Sequence, residues 1–211
     1  MAGESISIEG SVIFLRRYMD SLVQFQRQSA VQNEKSSTTT QDLRWGLLDP
    51  GSVKINTDGA FSPSSGAASL GVIIRDHLGQ PLLTAWRKLF HCRDAEEAEA
   101  AACLDGVRLA GRWPEKNVVL EVDCAALVDK LQSQELDRSL VAPLVHDIKE
   151  VGRQMNDFQV VKCRREQNKI THELARLASR SGQSRVSFSV ILGCVQDLVL
   201  SERAVMDVNA P

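Results

Sequence analysis

Three acidic residues occupy positions from which a metal site can be built: Asp58, Glu99 and Asp123. Asp58 follows an alternating, strand-like segment that starts at Val53, and Asp123 follows a short apolar segment. Carboxylates suit Mg²⁺ or Mn²⁺, which complete their coordination with water and substrate phosphate. Two such ions, about 3.5–4 Å apart, can activate a water and stabilise a leaving oxygen. The chemistry that these residue types favour is metal-dependent hydrolysis of a phosphodiester.

Each acid also has a simpler interpretation. Asp58 with Gly59 is typical of a hairpin turn, and Asp123 can cap a helix that begins at Cys124. Glu99 falls on a helical stripe of small residues, where a buried carboxylate needs a counter-charge or a metal, yet it can also lie at the rim of that stripe. The stripe consists of Ala95, Glu99, Ala102, Gly106 and Ala110. These residues alone leave the alternatives open.

The elements that must position the acids follow from hydrophobic periodicity. Three strands joined by short turns predict an antiparallel meander, and the helices and strands that follow predict a mixed sheet with helices packed on its faces. After the Asp58 strand, the predicted strands are 67–76, 82–90, 117–122 and 158–162, and the predicted helices are 94–111, 124–131, 140–155 and 168–179.

Length and composition limit the possible classes of protein. The 211 residues carry a formal net charge of −2, so no overall basic field attracts nucleic acid, and binding would need a local patch or metal ions. The five cysteines are dispersed and lack Cys-x-x-Cys spacing, which favours reduced thiols in an intracellular protein, cytoplasmic or nuclear. The longest apolar run near the N-terminus, 12–15, is too short for a signal peptide or a membrane span.

Composition shifts predict three regions. Residues 1–44 contain an amphipathic helix at 11–25 and a polar linker rich in Gln, Ser and Thr. Residues 45–180 hold the compact domain, and 181–211 form a tail whose apolar segments favour a strand plus a helix that docks on the domain.

In four pieces, which occur in the expected order and element types, the chain resembles the type 1 ribonuclease H domain of the kind found in plant genomes among relatives of retroelement reverse transcriptases. The pieces are Lys54 to Ala60, Ala98-Glu99-Ala100 leading to residues 106–110, Glu121-Val122-Asp123, and Asn168 to Ala175. The resemblance covers about residues 45–180. It implies a five-stranded mixed sheet, antiparallel in its first three strands, and a carboxylate cluster with two Mg²⁺ ions that cleaves the RNA strand of an RNA–DNA hybrid.

The resemblance also implies the site residues. Asp58, Glu99 and Asp123 match three of the four acidic positions, and His172 stands at the fourth, where well-studied members have aspartate. A neutral imidazole is a poorer ligand than a carboxylate for Mg²⁺, although Mn²⁺ tolerates it better, and a helix-surface role for His172 stays open. The loop before that helix, Cys163 to Gln167, lacks the histidine that many active relatives carry there. Its arginines can bind backbone phosphate or form a solvated turn.

We therefore expect a metal-dependent endonuclease that hydrolyses the RNA strand of RNA–DNA hybrids, with Asp58, Glu99, Asp123 and His172 as catalytic residues. Asp58 and Asp123 would bind or bridge the metals, Glu99 would hold one ion and position the water, and His172 would be an outer ligand. We expect a monomer without a membrane or protein partner. The alternative is a ribonuclease-H-like module that binds nucleic acid, or serves a structural role, without effective catalysis.

Overall fold

A computed structural model of the chain describes residues 48–188, 193 and 195–199. The predicted N-terminal helix at 11–25 and the linker at 26–44 lie outside the described residues. The predicted boundaries of the three regions remain predictions.

The described residues form a six-stranded mixed sheet. The order across the sheet is β5-β4-β1-β2-β3-β6. Strands β1, β2 and β3 pair antiparallel, β4 is parallel to β1 and β5, and β6 is antiparallel to β3. The strands are β1 Ser52–Phe61, β2 Ala68–Asp76, β3 Pro81–Leu89, β4 Asn117–Val122, β5 Asp157–Lys162 and β6 Arg185–Phe188.

Four helices and one 3₁₀ turn connect or flank these strands. They are α1 Ala95–Ala110, α2 Ala125–Gln132, α3 Ala142–Gly152, the 3₁₀ turn Arg165–Gln167, and α4 Lys169–Ser181. The Asp94 side chain caps α1 by accepting a hydrogen bond from the Glu97 backbone N–H at 2.8 Å. Gly182, at φ 66°, ends α4 in the left-handed conformation that glycine adopts without steric cost. Within the described part of the chain, no helix has the length and apolar content needed to cross a membrane.

Helices α1 and α4 cover opposite faces of the sheet. Gly106 of α1 lies so close to β1 that a Cβ there would stand 2.8 Å from both Ile55 Cγ2 and Thr57 Cγ2. On the other face, a Cβ at Gly71 of β2 would lie 2.1 Å from the backbone oxygen of Thr171 in α4. Alternation along β1 therefore directs Ile55 and Thr57 towards α1, and Asn56 and Asp58 towards the α4 side.

The C-terminal residues that the structure describes extend this core. Strand β6 pairs with β3 through residues 83–86, which adds the sixth strand to the five expected. Helical residues Val195 and Val199 pack into the cluster formed by α4 and the sheet. The other buried members are Ile73, Trp86, Ile170, Leu174 and Ala178. This segment stabilises α4 by burying its outer apolar surface.

The fold agrees with the predicted class and corrects two details besides the strand number. Strand β1 does not end at Asp58 but continues to Phe61, because Gly59 and Ala60 still pair with Leu70 and Ser69. Helix α3 spans Ala142–Gly152 rather than 140–155, with Pro143 in its first turn, where the missing N–H costs no hydrogen bond.

Gly71 provides a test of the close packing of α4. A Gly71→Ala substitution would place a methyl group against the α4 backbone, so we expect the free energy of unfolding to fall by about 1–3 kcal/mol. Urea denaturation measures this change. Gly111→Ala is the matched control, because Gly111 has helical dihedral angles and its nearest neighbour would lie 3.2 Å away. We expect that control to change stability by less than about 0.5 kcal/mol. Equal stability of the two variants would contradict the packing argument.

Candidate metal centre at the ends of two parallel strands

Strands β1 and β4 bring two of the predicted acids to the same level of the sheet. The parallel register aligns Asn56 with Glu121, and Asp123 follows directly after the last residue of β4. Two residues further along each strand, Asp58 is therefore level with Asp123. Neighbouring strands lie about 4.8 Å apart, so the two carboxylates meet at the C-terminal end of β4.

Gly59 allows the helix that carries the third acid, Glu99, to approach β1 closely. A Cβ at this position would lie 2.4 Å from the Ala98 carbonyl carbon and 2.5 Å from the Glu99 nitrogen, so only glycine lets the start of α1 approach β1 this closely. The approach brings the Glu99 side chain to Asp58. Gly59 is thus a strand residue against a helix backbone, and the interpretation of Asp58-Gly59 as a hairpin turn is wrong.

The three carboxylates form one compact cluster. One oxygen each from Asp58, Glu99 and Asp123 lie within 4.8 Å of one another. Asp58 is only 7% exposed, and the other two side chains are half-buried. Asp123 makes no helix cap, because α2 begins after Cys124, which itself gives no side-chain capping hydrogen bond. The geometry is that of a carboxylate cluster and not of three separate surface acids.

Without bound cations, the cluster of carboxylates is electrostatically unfavourable. Burial, together with the charges of Asp58 and Asp123, raises the pKa of Glu99 to about 9, although a backbone hydrogen bond from Gly59 and the Arg165 charge oppose the rise. Burial also raises the pKa of Asp58; the neighbouring His172 lowers it and Asp123 raises it further. Among the described residues, Glu99 Oε2 is buried without a hydrogen-bond partner.

This donor set fits a divalent cation. An unpartnered buried carboxylate oxygen is costly, and a bound cation would relieve both that cost and the repulsion between the acids. The three donors are oxygen atoms, the ligands that Mg²⁺ and Mn²⁺ prefer.

His172 lies at the edge of the cluster. Its Nδ1 atom is 3.2 Å from Asp58 Oδ2, and its side chain is 57% exposed. Helix α4 reaches this position because Gly71, the register partner of Asp58, leaves room for the α4 backbone. His172 is therefore on the helix surface and in contact with the cluster at the same time, so the two interpretations of this residue do not exclude each other.

The loop between β5 and α4 passes the same C-terminal end of β4 and the neighbouring part of β1. At its start, the Cys163 backbone N–H donates to the Val122 carbonyl at 2.9 Å, one residue before Asp123. At its end, Asn168 Nδ2 donates to the Thr57 carbonyl at 2.7 Å, one residue before Asp58. The exposed Arg165 between these anchors interacts electrostatically with the acids of the cluster.

Sequence reasoning left the role of Arg165 undecided between a phosphate contact and a solvated turn. In the structure its positive charge opposes the rise in the pKa of both Asp58 and Glu99. The informative signal in the sequence is its position, since it lies in the short loop that leads to the helix carrying His172.

Solved structures of ribonucleases H share this fold. Ribonuclease H1 of the halophilic archaeon Halobacterium salinarum is 17% identical with a TM-score of 0.58, and the match covers 62% of this chain and 99% of that one. The LC11 ribonuclease H1, solved in complex with an RNA/DNA hybrid, is 19% identical with a TM-score of 0.57 over 62% of this chain and 98% of the other. Similarity at this level of identity shows the fold alone.

A viral protein is similar over a smaller part of its own length. The foamy viral protease-reverse transcriptase, also solved in complex with an RNA/DNA hybrid, is 12% identical with a TM-score of 0.54. That match covers 79% of this chain and 26% of the viral one.

Sequence comparison gives the family. No curated protein matches the chain. The profile described as reverse transcriptase-like matches residues 56–178, a range that begins two residues before Asp58 and ends within α4. It therefore includes all three carboxylates and His172. With the ribonuclease H fold and the carboxylate cluster in the same segment, the chain belongs to the reverse transcriptase-like family.

Proposed function

We propose that this protein is a metal-dependent endonuclease that hydrolyses the RNA strand of RNA–DNA hybrids. The observation that carries the proposal is the cluster of Asp58, Glu99 and Asp123, whose oxygen atoms gather within 4.8 Å. Folding does not require three acids to converge, and their convergence is costly without a cation. We also propose that the protein acts inside the cell as a monomer.

Asp58, Glu99 and Asp123 would hold two Mg²⁺ or Mn²⁺ ions. When bound, such a pair lowers the pKa of an attacking water and stabilises the leaving oxygen of the phosphodiester. Asp58 on β1 and Asp123 directly after the neighbouring β4 would both help to hold the ions, since side chains positioned by strands are placed more precisely than those on loops. His172, through Nδ1, would be an outer ligand next to Asp58.

Glu99 combines ligation with orientation of the water. Its Oε2 atom is buried without a partner among the described residues, so it can accept a hydrogen bond from the attacking water. Its raised pKa means that it gives up a proton when a cation binds at neutral pH.

Substrate recognition would rely on the shape of the hybrid. A ribonuclease of this kind can use phosphates and 2′-hydroxyls, which needs few base contacts and agrees with the net charge of −2. Arg165 supplies a positive charge at the cluster that can contact the phosphate backbone. Two proteins with this fold have been solved with RNA/DNA hybrids bound, which supports the choice of substrate.

A second candidate function is a nucleic-acid-binding or structural module with impaired catalysis. It is favoured by His172 at the fourth acidic position and by the loop at 163–167, which has arginines but no histidine. The two candidates differ in hydrolysis and not in binding, so both properties must be measured.

The decisive experiment is hydrolysis of a labelled RNA–DNA hybrid in Mg²⁺ and in Mn²⁺. We expect cleavage of the RNA strand, and a loss of about 100-fold or more in Asp58→Asn, because the amide is a weaker ligand and lacks the negative charge. Asp147→Asn, which changes an exposed acid paired with Arg108, should cleave like the wild type. If the wild type binds the hybrid in a fluorescence anisotropy assay but cleaves it in neither metal, the second candidate function is correct.

The raised pKa of Glu99 predicts how stability depends on pH. In the folded protein this carboxyl holds its proton up to about pH 9, against an ordinary pKa of 4.5. The folded state therefore binds more protons than the unfolded state between these values, and the free energy of unfolding of the metal-free protein falls as pH rises through this range. Glu99→Gln removes the effect, so we expect it to be more stable than the wild type by about 2 kcal/mol near pH 8.

Urea denaturation in EDTA at about pH 8 and about pH 4.5 measures this difference, which should shrink at the lower pH. Excess Mn²⁺ should reverse the order near pH 8, because the wild type gains more binding free energy than the variant. Metal-free Glu99→Gln that is less stable than the wild type at both pH values would refute the electrostatic account.

His172 should control the choice of metal. In His172→Asp a hard carboxylate replaces the imidazole beside Asp58, so we expect hydrolysis in Mg²⁺ to rise about 10-fold and the ratio of the Mn²⁺ rate to the Mg²⁺ rate to fall. His172→Asn, similar in size to the aspartate but neutral, should show no such rise. An unchanged metal ratio in His172→Asp would mean that residue 172 does not contact the ions.

A further inference from the structure

A polar network lies next to the carboxylate cluster, on the same face of β1 and β4. Glu121 of β4 accepts hydrogen bonds from two residues of β1: Lys54 Nζ at 2.6 Å and Asn56 Nδ2 at 2.7 Å. The side chains of Lys54 and Glu121 are only 3% and 13% exposed. β1 thus carries Lys54, Asn56 and Asp58 on one face. Glu121 of β4 pairs with Asn56, and extending the same register brings Asp123, directly after β4, level with Asp58.

Stability alone does not explain this network. Removing two charges from water costs several kcal/mol per ion, and apolar residues of similar volume are often at least as stabilising as a buried ion pair. A buried ion pair does, however, favour one arrangement of its elements, because each alternative leaves a charge unpaired in the interior. The network is therefore suited to specify how β4 lies against β1.

The opposite face of these two strands cannot specify this arrangement as sharply. There Val53 and Ile55 lie level with Val118 and Leu120 of β4, so successive levels offer contacts of similar shape and polarity. The aliphatic residues of β4 on that face are Val118, Leu120 and Val122, all buried. A displacement of β4 by two residues, about 6.6 Å, would keep apolar groups in contact on that face. On the polar face the same displacement would either align Glu121 with Lys54, away from its present partner Asn56, or align it with Asp58, which sets two carboxylates side by side.

From these contacts we infer that Lys54, Asn56 and Glu121 are positioning residues for the metal centre, an inference that rests on the proposed function. They hold β4 so that Asp123 is level with Asp58, and they occupy both oxygen atoms of Glu121. Glu121 is two residues from Asp123 on the same face, and without its partners it would be an additional unpaired carboxylate beside the cluster. A metal pair requires ligands placed within about 0.5 Å, which a loosened strand pair does not provide.

If the network positions the metal ligands, its removal should weaken metal binding without lowering the stability of the fold. A triple variant tests this. Lys54→Met/Asn56→Val/Glu121→Leu replaces the three side chains with apolar ones, so neither member of the Lys54–Glu121 ion pair is left as a lone buried charge. We expect its urea unfolding midpoint to equal or exceed that of the wild type. We expect Mn²⁺, titrated into the metal-free protein by calorimetry, to bind about 10–100-fold more weakly. In hybrid hydrolysis kcat should fall while KM changes little, because the substrate contacts are intact.

Two further variants complete the design. Glu121→Gln keeps the volume of the side chain and an oxygen that can accept from Lys54, and it serves as the test should the triple variant not fold. We expect its Mn²⁺ affinity to fall about 10-fold. Arg108→Met is the control, because it removes an exposed ion pair with Asp147 between helices and should leave Mn²⁺ affinity unchanged. Wild-type Mn²⁺ affinity in either folded network variant overturns the inference. A wild type that binds no Mn²⁺ contradicts the proposed function itself.

Discussion

Repulsion among three carboxylates is the constraint on which the rest of this domain depends. Asp58 lies on β1, Glu99 on α1 and Asp123 directly after β4. In the metal-free protein burial, together with the charges of the two aspartates, raises the pKa of Glu99 to about 9. A protein tolerates such a cluster only if stronger interactions elsewhere hold the elements in place. The apolar core supplies them, since the core-facing aliphatic residues of β1, β4 and α1, among them Ile55, Leu120 and Val107, are fully buried. Folding thus provides the free energy that keeps a cation site assembled.

Two glycines decide how closely the helices approach. Gly59 admits the start of α1 on one face, and Gly71, the register partner of Asp58, admits α4 on the other. Each would bring a Cβ to less than 3 Å from helix backbone atoms, which cannot move aside as a flexible side chain can. Glu99 and His172 reach Asp58 because these two positions carry no side chain. The cluster therefore depends on the absence of side chains at Gly59 and Gly71 as much as on the three acids.

The sequence was informative wherever the chemistry of a residue and its local period agreed. Alternation in β1 and β4 and the apolar helix patterns predicted the mixed sheet. The strand-end positions of Asp58 and Asp123, with Glu99 on the small-residue stripe of a helix, predicted the convergence of the three acids. Asp58-Gly59 misled because the same dipeptide serves hairpin turns and close backbone packing, and only the partner helix distinguishes these roles. A strand was expected in the tail, but its place as a sixth strand of the sheet was not predicted, because β6 has four residues, too few for a clear period, and is specified by pairing with β3. The network of Lys54 and Glu121 could not be predicted, because it depends on the register of strands far apart in sequence.

The groups around the cluster suggest how the proposed enzyme balances charge. A fourth carboxylate at position 172 would strengthen the grip on Mg²⁺ but would add a further like charge to a cluster that already raises the pKa of Asp58 and Glu99. His172 instead lowers the pKa of Asp58, and Arg165, held between anchors on Val122 and Thr57, opposes the rise at both Asp58 and Glu99. These positive or neutral groups reduce the electrostatic repulsion in the metal-free protein. The same groups reduce the electrostatic attraction for a cation. His172 and Arg165 therefore stabilise the metal-free site and weaken its affinity for the metal at the same time.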